Sequence, residues 1–112
     1  NNRGYLTMSV LIFDVEDTSS NICIPVASEK KFHAIWEYAL KELNICRLGN
    51  GVWLQRNDLE LILSDFCRIK NWAEQYLPTI EANYVVNHIN YILKELPSQW
   101  SKHPQITRLW MG

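Results

Sequence analysis

Residues 8–43, MSVLIFDVEDTSSNICIPVASEKKFHAIWEYALKEL, decide the fold, because they read first as two extended runs and then as one amphipathic helix. MSVLIFDV is β-branched and apolar and ends in an acidic, polar cluster, which predicts a strand followed by a loop. NICIPV, residues 21–26, is a second short extended run. Pro25 has no N–H to give to a ladder, so this run belongs at a sheet edge or a strand end. The two runs are expected to pair as a hairpin with a loose connection. Ser28 then supplies a helix cap and Glu29 suits the positive end of the helix dipole. Phe32, Ile35, Trp36, Ala39, Leu40 and Leu43 follow at i, i+3, i+4, i+7, i+8 and i+11, one stripe to be buried.

Downstream, NICRLGNGVWLQ at residues 44–55 reads as two strands around a tight turn, since Asn and Gly accept the positive φ that such turns need. Asn57 and Glu60 have the spacing of a capping box, predicting a helix over residues 58–76. Leu59, Ile62, Leu63, Phe66, Ile69 or Lys70, Ala73 and Leu77 trace its core face, and Pro78 closes it. A third helix is expected over residues 80–96, with Val85, Ile89, Ile92 and Leu96 inward and Pro97 as its stop. Residues 97–103 allow a short helical turn, and QITRLWMG after Pro104 is apolar enough for a last strand. The fold class is thus α/β of the α+β kind, a small antiparallel or mixed sheet packed against two to three long helices. Residues 8–112 make one domain, and residues 1–7 are expected to be a tag remnant or disordered leader without function.

Composition sets the functional frame. The chain has 112 residues, 47% hydrophobic and 21% charged, the balance of one ordinary globular domain. Eleven basic and twelve acidic residues leave a net charge of -1, so no global basic field is available to hold nucleic acid. No apolar run approaches the ~20 residues of a membrane span, and a secretory signal is not recognisable, which together predict a cytoplasmic protein. Cys23, Cys46 and Cys67 are odd in number and lack CxxC spacing; each reads as a small buried hydrophobe, not as part of a disulfide or zinc site. Five Trp and five Tyr read first as core fillers, although rings also serve as binding anchors.

No pair of residues has the HxxxH, HExxH or CxxC spacing of metal ligands, and GxSxG, P-loop and GxGxxG patterns do not occur. Neither a cofactor nor a catalytic activity is expected. The enzyme alternative is a small hydrolase or nuclease built on His88, which has Tyr84, Tyr91 and Glu95 at helical spacing. Binding chemistry is better represented. Asp14, Glu16 and Asp17 place three carboxylates in four residues, and Asp58, Glu60 and Asp65 add acid at the second helix. Lys30 and Lys31 counterbalance them. An anionic patch of this kind suits a basic partner, whose association opposite charge accelerates. The candidate contact residues are therefore Asp14, Glu16, Asp17, Asp58 and Glu60, with Trp53 or Trp110 as aromatic anchors.

The stretches IPVASEKKFHAIWEYALKEL and GVWLQRNDLELILSDFCRIKNWA resemble bacterial immunity proteins of contact-dependent growth inhibition and related polymorphic toxin systems. An apolar strand ending in IPVA, a Trp-bearing helix ending in KEL and a hydrophobic strand before NDLE carry the resemblance, over about half of the chain. It implies a short cytoplasmic partner that binds the C-terminal domain of a cognate toxin, a nuclease among the candidates, and occludes its active site or its target-binding surface. It transfers no individual contact residue, because such contacts are particular to each toxin. Charge balance and hydropathy, as above, predict no membrane and no direct nucleic-acid contact. A structural or regulatory subunit that homodimerises through exposed rings is the other alternative.

Overall fold

A computed structural model describes residues 9–112. Residues 1–7, the expected leader, and Met8, the expected first residue of the first strand, lie outside the described residues. The remainder is an α+β fold: a four-stranded antiparallel sheet and three helices. The strands are β1 (Ser9–Phe13), β2 (Cys23–Ser28), β3 (Val52–Gln55) and β4 (Arg108–Met111), in spatial order β2-β1-β4-β3. β1 and β2 form the expected hairpin, and β2 is an edge, which accommodates Pro25. Val10 faces Ala27 while Leu11 faces Pro25, so Val26 is an extra residue, and this irregularity lets both Val26 and Ala27 face the core.

Helix α1 runs through three consecutive pieces, Glu29–Lys31, a π-helical turn Phe32–Trp36, and Glu37–Glu42. Ser28 caps it as expected, its Oγ accepting from the Lys31 amide at 3.1 Å. Phe32 and Trp36 are fully buried and stacked, with centroids 5.8 Å apart. Helix α2 is Leu59–Tyr76 and helix α3 is Thr79–Ser101. α3 packs against both α2 and β2, and the helices line one face of the sheet.

Four expectations need correction. Residues 44–48 form no strand, and β3 pairs with β4 instead. The reason is the end of α1: Asn44 takes a left-handed φ of 54°, its amide donates to Lys41 O, and the Ile45 amide donates to Leu40 O, the paired bonds of a Schellman cap. Ile45 and Leu48 are then buried, which commits the segment to the helix end. Gly51, at φ 110°, opens β3 and donates to Met111 O at 2.7 Å.

The Asn57–Glu60 capping box does not form either. A 3-10 turn, Arg56–Asp58, leads into α2, and Asp58 occupies the cap position without a side-chain cap bond. Arg56 dictates this entry: its amide donates to Thr107 O at 2.8 Å and its guanidinium to the carbonyls of Ile106, Trp100 and His103.

Pro97 does not stop α3. Leu96 and Trp100 are both fully buried, and Trp100 Nε1 donates to Ile106 O at 2.8 Å, so packing on both sides carries the helix through the proline.

Finally, Cys23, Cys46 and Cys67 are free thiols, and all three are exposed, not buried. Cys23 falls on the outward-facing positions of β2, Cys46 follows the cap of α1, and Cys67 lies on the outer side of α2 next to buried Phe66.

Candidate protein-binding face

Strand alternation divides the sheet into two faces. Val10, Ile12, Ile24, Val26, Leu54, Leu109 and Met111 point into the helical layer and are at most 1% exposed. Leu11, Phe13, Trp53, Arg108 and Trp110 point the other way and keep partial solvent exposure. Among the described residues no helix packs over this second face.

Phe13, Trp110 and Trp53 occupy one cross-strand row, on β1, β4 and β3 respectively. Trp53 and Trp110 meet edge-to-face with centroids 4.9 Å apart, an arrangement that ring quadrupoles favour. The Trp110 indole lies beside two glycines. A Cβ on Gly112 would come within 3.1 Å of Trp110 Cε2, and one on Gly51 within 3.9 Å of Cζ2. The ring therefore has two glycines close against it and Trp53 on its flank.

Arg108 completes the arrangement. Its Cζ lies 3.7 Å from the Trp53 ring centroid, and its Nε and Nη2 donate to the Glu16 carboxylate at 3.2 and 2.9 Å. The cation thus stacks on one anchor and forks onto the acidic loop. The Arg108 hydrogen bonds and charge hold the Glu16 pKa below the usual carboxylate range, and Glu16 in turn raises that of Arg108.

The other carboxylates have different roles. Asp14 is only 4% exposed; its Oδ1 accepts from the Glu16 and Asp17 amides at 3.1 and 2.9 Å, turning the chain so that Glu16 reaches Arg108. Its Oδ2 is buried without a partner among the described residues. Asp14 is thus a loop-shaping residue and does not belong to the surface. Asp17 caps the short 3-10 turn Thr18–Ser20. Asp58 and Glu60 flank the entry to α2, with no ion pair or hydrogen bond to the Trp pair among the described residues. Asp65 is buried and held by Arg47 Nε at 2.9 Å. Of the seven contact residues expected, Glu16, Trp53 and Trp110 come together, through Arg108. Sequence reading passed over Arg108 and Phe13; the i, i+2 spacing of Arg108 and Trp110 in RLWM was the available signal.

The His88 alternative has less geometry behind it. His88 Nδ1 donates to Tyr84 O at 2.9 Å, because a carbonyl can only accept, and its ring lies 4.3 Å from that of Tyr84. Pro25, Asn87, His88 and Tyr91 line a shallow depression of about 240 Å³. Glu95 bonds to Gln99 Nε2 at 3.1 Å and lines a different depression with Lys102 and His103, so His88 and Glu95 are not brought together. No group of three His, Cys, Asp or Glu side chains with metal-binding geometry occurs among the described residues, and no helix there is long and apolar enough to cross a membrane.

No protein-family model, curated protein sequence or solved structure was found to match the chain.

Proposed function

We propose that this chain is an immunity protein of the cytoplasm, which binds the C-terminal domain of a cognate toxin and blocks its active site or target-binding surface. The observation that carries this reading is the Trp53–Trp110–Arg108–Glu16 assembly on the sheet face that no described helix covers. Trp and Arg are the residues in which binding energy concentrates. Here they are already fixed by each other and by Gly51 and Gly112, so docking orders few side chains anew. Phe13 and Leu11 extend the apolar area along β1. A stable complex needs roughly 800 Å² from each partner, about an eighth of the 6885 Å² surface of this chain. Steric occlusion suffices as mechanism, and it requires no catalytic group.

The test is co-expression with the toxin domain encoded beside this chain's gene. Growth rescue by the wild-type chain, and its loss with Trp53→Ala plus Trp110→Ala at unchanged expression, is expected. A toxin domain that kills equally well in the presence of the wild-type chain would remove the proposal.

A further inference from the structure

On the helical side, Tyr38 of α1 and Trp72 and Tyr76 of α2 form an aromatic ladder. Tyr38 and Trp72 have centroids 6.1 Å apart at an interplanar angle of 39°, and Trp72 and Tyr76 6.3 Å apart at 45°. The rings are tilted, not stacked, and wall a groove of about 330 Å³ floored by Ala34, Ile35 and Leu77. Trp72 is 6% exposed and rigidly packed, while Tyr38 and Tyr76 are 61% and 70% exposed. Glu42 is the only charged residue lining this groove among the described residues.

We infer that this groove is a cation-binding site, and that its occupant is the guanidinium of an arginine side chain on a partner protein. The two exposed tyrosine rings flanking buried Trp72, together with one carboxylate, complement a planar organic cation and nothing anionic. A cation seated on the exposed Tyr38 or Tyr76 ring lies within the roughly 6 Å over which a ring face attracts it. Guanidinium fits better than ammonium because it is weakly hydrated, lies flat on aromatic faces and forks onto a carboxylate. The protein uses the same chemistry internally, with Arg108 over Trp53, Arg56 over Trp100 and Lys31 over Tyr84. Among the described residues none of its own cations sits over the Tyr38–Trp72–Tyr76 rings. Arg68, across the Trp72–Tyr76 ridge, is held by Leu43 O at 2.8 Å and lies 4.0 Å from Asp65. Lys30, Lys31 and Glu81 line the adjoining cavity, and Lys31 Nζ lies over the Tyr84 ring.

The site does not depend on the toxin reading, and its test uses no toxin. The full chain is titrated with N-acetyl-arginine amide, N-acetyl-lysine amide and the uncharged isostere N-acetyl-citrulline amide, following the five indole N–H resonances, assigned by Trp→Phe variants. Arginine amide is expected to shift the Trp72 indole saturably, with citrulline amide and lysine amide each weaker by roughly five-fold or more. Tyr76→Ala and Glu42→Gln, both at exposed positions, are expected to weaken arginine binding by a similar factor, and Trp53→Ala to leave it unchanged. Equal binding of citrulline amide overturns the cation assignment, and equal binding of lysine amide overturns the guanidinium assignment. A Trp72 resonance that does not move, or shifts centred on Trp53, overturns the site itself.

Discussion

Replacing Arg56 with methionine removes the guanidinium that ties β3 to the connection between α3 and β4, while keeping an unbranched apolar stem. Arg56 Nε donates to Ile106 O at 2.7 Å, and Nη2 donates to Trp100 O at 3.0 Å and to His103 O. Each carbonyl retains a second donor: Trp100 Nε1 for Ile106 O, the His103 amide for Trp100 O and the Ile106 amide for His103 O. No acceptor is therefore orphaned, and the loss is close to the net value of three hydrogen bonds, about 3 kcal/mol. Loss of the cation over the Trp100 ring, at 5.1 Å, adds about 0.5 kcal/mol. For a chain of this length roughly 4 °C accompanies each kcal/mol, so the melting temperature should fall by about 14 °C. Arg56→Lys, with one compact charge for three carbonyls, should lose about half as much. Urea denaturation followed by Trp fluorescence measures the free energy, and the far-ultraviolet exciton couplet of Trp53 and Trp110 reports whether β4 still holds its register. A methionine variant within about 0.5 kcal/mol of wild type, smaller than one net hydrogen bond, refutes the clamp.

Three further outcomes follow from the same geometry. The Glu16 pKa is depressed in the folded state, so its contribution is fully present above the ordinary glutamate value of roughly 4.3 and is lost as pH falls through the lower folded value; Arg108→Gln should return Glu16 to the ordinary range in a carboxyl-detected NMR titration and flatten the acid limb of the stability curve. Arg47→Ala strands the Asp65 carboxylate, 4% exposed, with only Arg68 at 4.0 Å; because Arg47 is itself 44% exposed, the cost should be about 2 kcal/mol by chemical denaturation, below that of a fully buried pair. Pro97→Ala restores an amide donor for Leu93 O within α3 and should stabilise the fold by about 1 kcal/mol after the lost rigidity of the unfolded chain is subtracted, seen as a higher melting temperature.

The helices were legible because their signals are local. Ser28 sits beside the amides it caps, and Ile62, Phe66, Ile69 and Ala73 repeat at helical spacing on the buried face. The Asn44–Ile45 cap was equally local, but a competing reading of GNG as a hairpin turn obscured it. What decided that segment was distant: β4 supplies the partner of β3 from more than 50 positions along the chain. The same holds for Pro97, where burial of Trp100 outweighs a local stop signal, and for Asp65, which is buried because Arg47 reaches it across the fold. At the candidate site, Trp53, Trp110 and Glu16 were visible as residue types. Their convergence was not, since Arg108 joins Glu16 to Trp53 only after β4 has paired with both β1 and β3.

The central claim is that the outer sheet face binds a cognate toxin domain. Calorimetric titration of that domain into the wild-type chain, the Trp53→Ala/Trp110→Ala double variant and a Leu61→Ala control on exposed helical surface tests it most directly. One-to-one binding is predicted, weakened by roughly 30-fold or more in the double variant and unchanged in the control. No heat of binding with the wild-type chain, or full affinity in the double variant, would contradict the account.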